Sequence, residues 1–297
     1  MGRCHRFQER AFRSFRLVGV TDPNAVGHRV NPTSGPALDR ILKRDRLIVA
    51  VGLALVVVLA AVYTVMGAGM PMSAITMTQM AIEMPGMMMA STDWTPRYGL
   101  LVFLMWWVMM IAMMVPSAAP TVLLYTGLVR KNKNTERPYA SVSVFLSGYL
   151  IVWGAFSFGA TVLQWALVSI GHLSGMMELT KAPVAGMLMM AAGIYQVSSL
   201  KQACLRHCQH PLIFFMHNWK SGTYGALRMG MQNGYFCLGC CWVLMALLFV
   251  GGVMNLLWIA ALALFVGFEK LAVDRPWLTK ISSIALIGVG LWIVMAA

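Results

Sequence analysis

Five of the chain's six cysteines fall in two short stretches, LKQACLRHCQHP at 200–211 and NGYFCLGCCW at 233–242. The first holds Cys204, His207, Cys208 and His210, with His217 a little beyond. The second holds Cys237, Cys240 and Cys241. Residues three and four apart share a face of a helix, so each stretch, if helical, presents its thiols on one side. Thiolate is a soft donor that selects Cu(I), zinc or iron–sulfur clusters, and imidazole extends the choice to zinc and copper. A lone cysteine in an apolar helix is usually a small packed hydrophobe. Five cysteines with two interleaved histidines tip the balance towards metal or redox chemistry, although the spacing matches no standard zinc finger.

Methionines form a second constellation. Residues 70–89 contain eight of the chain's 26, in MPMSAITMTQMAIEMPGMMM. Helical spacing would put Met77, Met80, Met84 and Met87 in one stripe. In MWWVMMIAMMVP, Met105, Met109 and Met113 recur every four residues, with Met110 and Met114 beside them. Thioether is a soft donor that needs no deprotonation, so it suits Cu(I). Taken alone, such a stripe reads more readily as gap-filling core. The order gives it weight: thioethers at one side and midway, thiols at the other.

These residues need elements to hold them. The chain is 59% apolar and 11% charged, far from the ~25% charge of a soluble domain. Apolar runs recur that are long enough to cross a hydrocarbon core about 30 Å thick. Hydropathy predicts an all-α polytopic transmembrane bundle of seven spans: Leu47–Met66, Gly99–Val115 with an extension to Val129, Tyr139–Ile170, Ala182–Leu200, Phe236–Met254, Leu256–Leu271 and Leu278–Met295. With the N-terminus inside and the C-terminus outside, 21 Lys and Arg fall inside and two, Arg97 and Lys181, fall outside. Such a positive-inside bias fixes orientation. It places residues 67–98 as a Met-rich outer loop and 201–222 as a Cys/His-containing inner loop. Residues 1–46 form a basic cytoplasmic arm, expected to be flexible, ahead of a helical domain over 47–297. Cys4 and His5 sit in that arm and read as incidental.

The net charge of +13 thus reads as topology and attraction to anionic lipid, not as a nucleic-acid footprint. No P-loop, dinucleotide fingerprint or hydrolase elbow is present. No histidine lies clearly within a span to ligate haem, His172 being at an outer edge. Pro116 and Pro120 should free backbone carbonyls in mid-span. Glu269–Lys270 closes the sixth span and suits a paired, snorkelling role at the inner boundary. Asn255 sits in a connection short enough to be a turn.

The segments KQACLRHCQHP, WKSGTYGALRMGMQNGYFCLGCCWVLMALLFVGGVMNLLW, FEK and MMIAMMVPSAAP resemble the predicted metal-binding integral membrane protein family, a bacterial domain family of unestablished activity. The resemblance covers roughly residues 97–275. It implies an integral membrane protein that binds metal, with copper in view, through these Cys, His and Met residues.

The expected function is a bacterial inner-membrane, multi-pass protein handling a soft metal such as Cu(I), with zinc ranked lower, by delivery or transport. Its thiolate ligands would be Cys204, Cys208, Cys237, Cys240 and Cys241, with His207 and His210 as alternates and Met109, Met110, Met113 and Met114 as thioether donors. The expected partners are the lipid bilayer and a soluble metal donor or acceptor protein, without nucleic acid. Two rivals stay open: a membrane thiol oxidoreductase using Cys237 and Cys240, and a metal-free membrane assembly partner. A non-enzymatic role ranks above an enzymatic one.

Overall fold

The computed structural model describes residues 36–67, 73–83, 94–131, 138–171, 179, 181–272 and 276–297. These form α1 (Pro36–Val65), α2 (Ala74–Glu83), α3 (Pro96–Lys131), α4 (Pro138–Ser169), α5 (Ala182–Gln196), α6 (Ser199–Gln209), α7 (Pro211–Asn218), α8 (Gly222–Ala246), α9 (Leu248–Gly251), α10 (Leu256–Leu271) and α11 (Pro276–Ala296). Proline opens five of them at the first helical position, where its missing N–H costs nothing. Side-chain caps add to this at α3 and open α6 and α10. Thr95 Oγ1 accepts from Tyr98 N, Ser198 Oγ from Lys201 N, and Asn255 Oδ1 from Leu257 N and Trp258 N. The Asn255 turn expected from sequence is therefore the cap of α10.

The all-helical expectation holds, but the count of seven spans does not. Among the described residues, five helices are long and apolar enough to cross a membrane: Leu47–Val65, Pro96–Arg130, Ser141–Ser169, Gly222–Gly251 and Trp277–Ala296. A sixth is reached only if α5 and α6, bent by 63°, count as one. The predicted sixth span, Leu256–Leu271, forms a helix of 16 residues, or about 24 Å at 1.5 Å per residue. That is shorter than a hydrocarbon core of about 30 Å. Hydropathy reads an apolar run without knowing that its charged end turns inward.

Three other sequence readings meet the structure. Helix α1 starts at Pro36, inside the stretch assigned to the basic arm, and α2 occupies part of the Met-rich loop. The stretch 201–222 is largely helical, in α6 and α7. Residues 1–35, with Cys4 and His5, lie outside the described residues, as do Met70, Met72, Met84, Met87, Met88, Met89 and His172.

Packing rests on close backbone approach. Helices α4 and α8 meet so tightly that a Cβ on Gly230 would overlap the Phe145 carbonyl oxygen, and one on Gly148 the Leu227 carbonyl oxygen. Helices α5 and α11 meet at Gly186 and Gly290, where each added Cβ would lie 2.6 Å from the other's carbonyl oxygen. Small residues that let helices touch are the usual basis of association in an apolar solvent. Polar side chains also join the helices: Trp106 Nε1 donates to Gln164 Oε1 at 2.7 Å, and Ser283 Oγ to the Gly193 carbonyl at 2.6 Å. Outward faces of α1 and α11 carry exposed Leu55, Leu59, Ile284 and Trp292, which suits contact with lipid.

Gly230→Ala should therefore destabilise the detergent-solubilised protein by about 1–3 kcal/mol, the usual cost of overpacking. Gly159→Ala, on the partner helix α4 with nothing near its added methyl, should be neutral or slightly stabilising. Thermal unfolding of both variants checks the contrast.

Candidate metal centre

Helix α8 carries Cys237, Cys240 and Cys241 into the bundle. Cys237 lies about 22 Å along the axis from Gly222 at 1.5 Å per residue, and the three are 3%, 2% and 1% exposed. The thiols thus sit in the protein interior. Cys240 and Cys241 Sγ each donate to the Cys237 carbonyl at 3.0 Å, which turns both thiols back along the helix.

Helix α3 supplies the partner. Met114 Sδ lies 4.0 Å from Cys241 Sγ. Pro116 and Pro120 sit within α3, which continues through both. Without a Pro116 N–H the Ala112 carbonyl loses its helical donor, and Pro120 does the same to Pro116. From α4, the Tyr149 hydroxyl donates to the Met114 carbonyl at 3.2 Å and lies 3.0 Å from Cys237 Sγ. From the last turn of α10, Lys270 Nζ donates to Ser117 Oγ at 2.9 Å and to Cys237 Sγ at 3.1 Å, and stands 3.9 Å from Met114 Sδ. Four helices thus place two thiols, a thioether, a phenol and an ammonium around one point.

The bend between α5 and α6 lays α6 against α8. Cys204 Sγ rests over Gly239, where an added Cβ would lie 2.7 Å from the sulfur. Cys208 pairs with Cys240 through a side-chain hydrogen bond. The Tyr195 hydroxyl, from α5, donates to the Gly239 carbonyl. The two sequence stretches do converge, by way of Gly239 and Cys240. The described cysteines form no disulfide.

The histidines are placed differently. The His207 ring stacks on Phe236 with centroids 3.8 Å apart and meets Phe214 edge-on. His210 ends α6 and precedes Pro211 of α7. Among the described residues, no three His, Cys, Asp or Glu side chains form a ready metal site. A methionine completes a soft-donor cluster with Cys237 and Cys241: Met114 Sδ touches Cys241 Sγ and stands near Lys270 Nζ, which also holds Cys237 Sγ. Met109, Met110 and Met113 are buried in the same core, Met113 next to Met114 in sequence and the other two a little over one turn back along α3.

Sequence reasoning missed the charges. Lys201, counted in an inner loop, is fully buried and pairs with Glu269 at 2.7 Å. Gln196 accepts a further hydrogen bond from Lys201 and donates to Ser282 Oγ at 3.0 Å. Glu269 and Lys270, read as a mutual pair, part company: Glu269 turns to Lys201, and Lys270 to the thiols. Neighbours one apart on a helix point 100° apart, and that was the available signal. Lys270 is 5% exposed, so it does not snorkel. The end of α10 is closed by Gln209, whose Nε2 donates to the Glu269 and Ala272 carbonyls at 3.0 and 3.2 Å. This satisfies acceptors that a helix end otherwise leaves open.

A family model described as PpoB2: Copper chaperone matches residues 103–293, more than half of the chain. No curated protein and no solved structure matches the sequence. The matched range takes in α3 from Phe103, the whole of α8 and α10, and so every residue of the thiol–thioether–ammonium cluster.

Because Lys201 and Glu269 are both buried, removing one strands the other. Glu269→Gln should destabilise the protein by about 3–5 kcal/mol, whereas Lys201→Met combined with Glu269→Leu should recover most of the loss. Unfolding of the two variants in the same detergent measures the difference.

Proposed function

The chain belongs to the PpoB2 copper chaperone family, and we propose that it carries Cu(I) as cargo inside its helical bundle, on Cys237, Cys241 and Met114. One observation carries this reading: Cys237 Sγ and Met114 Sδ stand beside Lys270 Nζ, and Cys241 Sγ lies against Met114 Sδ, all of them buried between α3, α8 and α10. Two thiolates and a thioether are a soft donor set, matched to Cu(I) over hard cations. Cys208 and Cys240, paired beside that cradle, with Cys204 against Gly239, are the next thiols along and provide the exchange route. His207 and His210 stand at the far end of α6 as alternates on that route, and Met109, Met110 and Met113 as thioether donors towards the opposite end.

The bundle lies in the bacterial inner membrane with its N-terminus inside. The basic ends of α3, α6 and α8 then face the cytoplasm, where thiols stay reduced. A soluble metal donor or acceptor protein exchanges cargo at that face. A Cys237–Cys240 redox couple fits less well, because Cys240 is turned to the Cys237 carbonyl and to Cys208.

Two experiments test this reading. Anaerobic titration with Cu(I) should show a tight site in the purified protein, with only sulfur in the first shell by X-ray absorption. Cys237→Ser and Cys241→Ser should each weaken it by about a hundredfold, and Met114→Leu by about tenfold with folding intact, since that swap conserves volume. Unchanged binding in Cys237→Ser would sink the proposal. For orientation, Ser221→Cys adds a thiol at an exposed position ahead of α8. An impermeant maleimide should label it in inverted vesicles and not in spheroplasts; labelling in spheroplasts reverses the topology.

A further inference from the structure

Lys270 is a buried cation whose nearest carboxylate is already taken. Glu269 pairs with Lys201 at 2.7 Å, and among the described residues no other ion pair reaches Lys270. Its ammonium is held instead by Ser117 Oγ at 2.9 Å, Cys237 Sγ at 3.1 Å and, more loosely, Met114 Sδ at 3.9 Å. An uncompensated charge in so apolar an interior is costly. The groups able to offset it are the thiolates of the cradle itself.

We propose that Lys270 sets the charge of the cargo, making the Cys237–Cys241–Met114 cradle selective for a monovalent soft cation over a divalent one. The inference rests on the cargo reading above and adds the rule by which the site chooses. Two thiolates contribute −2 and Lys270 +1, so the empty cradle lacks one positive charge. A monovalent ion brings the loaded centre to neutrality, while a divalent ion leaves a surplus charge buried beside the ammonium. Lys201 and Glu269 cancel, and Met114, Ser117 and Tyr149 are neutral, so none of them alters the count. Cys208 and Cys240, hydrogen-bonded to each other beside the cradle, are counted as neutral, and an Ag(I)/Cd(II) ratio that shifts in Cys240→Ser overturns that count. Softness alone cannot make this distinction, because soft divalent ions also prefer thiolate. Charge balance can.

The test compares Ag(I), a redox-stable monovalent ion, with Cd(II), a soft divalent one, by competition on the full chain in detergent. Wild type should favour Ag(I). Lys270→Met and Lys270→Gln, in which the cradle lacks two positive charges, should each shift the Ag(I)/Cd(II) ratio towards Cd(II) by roughly tenfold or more. The Gln variant can still donate to Ser117 Oγ, which guards against loss of the fold. Lys270→Arg keeps the charge and should keep the ratio. Cys241→Ser combined with Lys270→Met again leaves the cradle one positive charge short, so the preference should return to Ag(I) even though both ions bind more weakly.

An unchanged ratio in the two neutral variants overturns the role of Lys270, as does a ratio that moves equally in Lys270→Arg. Ag(I) binding by wild type that Cys237→Ser abolishes sustains the cargo reading by itself, so the two ideas fail separately. A wild type that binds no Ag(I) overturns both.

Discussion

Everything in the centre of this bundle answers to one constraint, a lysine ammonium held among sulfur atoms away from water. Moving an ammonium-sized ion into such an interior costs several kcal/mol even after relaxation, so its surroundings must be built to receive it. Helix α10 is 16 residues long, and its register from the Asn255 cap brings the buried Glu269 and Lys270 of its last turn beside Lys201 on α6 and Cys237 on α8. The Gln209 side chain closes the end of that helix. A cation in the last turn also suits the partial negative charge of that helix terminus.

The bend between α5 and α6 follows from the same requirement. A straight continuation past Gln196 would take Lys201 away from Glu269 and Cys204 and Cys208 away from α8. The 63° turn, fixed by the Ser198 cap, lays α6 across the bundle instead. Lys201 sits in the first turn of α6, where a cation opposes the helix dipole, and its ion pair with Glu269 offsets that. Gly239 lets Cys204 close down on α8, and Gly230 lets α4 approach until Tyr149 reaches Cys237. Backbone contact and thiol placement are one arrangement.

The sequence made much of this legible. The helical class, the spacing that puts Cys237 on one face with Cys240 and Cys241, the Asn255 turn and a metal-binding family were all readable from residue types and period. What escaped was which charges meet. Lys201 lies in an 11-residue helix of low mean hydropathy, so it reads as a loop cation counted for topology. Glu269 and Lys270 are adjacent in sequence and read as a mutual pair. Their actual partners are 68 residues upstream and 33 residues upstream, separations that no local period encodes. Among many methionines, the position of Met114 opposite Cys241 is likewise a property of how α3 crosses α8.

On the proposed reading, methionine abundance along α3 takes on a specific meaning. Each thiolate added to a buried centre changes its charge by one and must be matched by a cation or by the cargo. Each thioether adds donor strength without changing the count. A bundle that must hold a soft ion in an apolar interior can therefore multiply methionines freely, while its cysteines and lysines stay fixed in number relative to one another. Met109, Met110 and Met113 meet that condition: they fill the core as flexible apolar side chains and present sulfur without any buried charge to compensate. On the proposed reading the same residues serve packing and passage, while Cys237, Cys241 and Lys270 set the charge of the cradle.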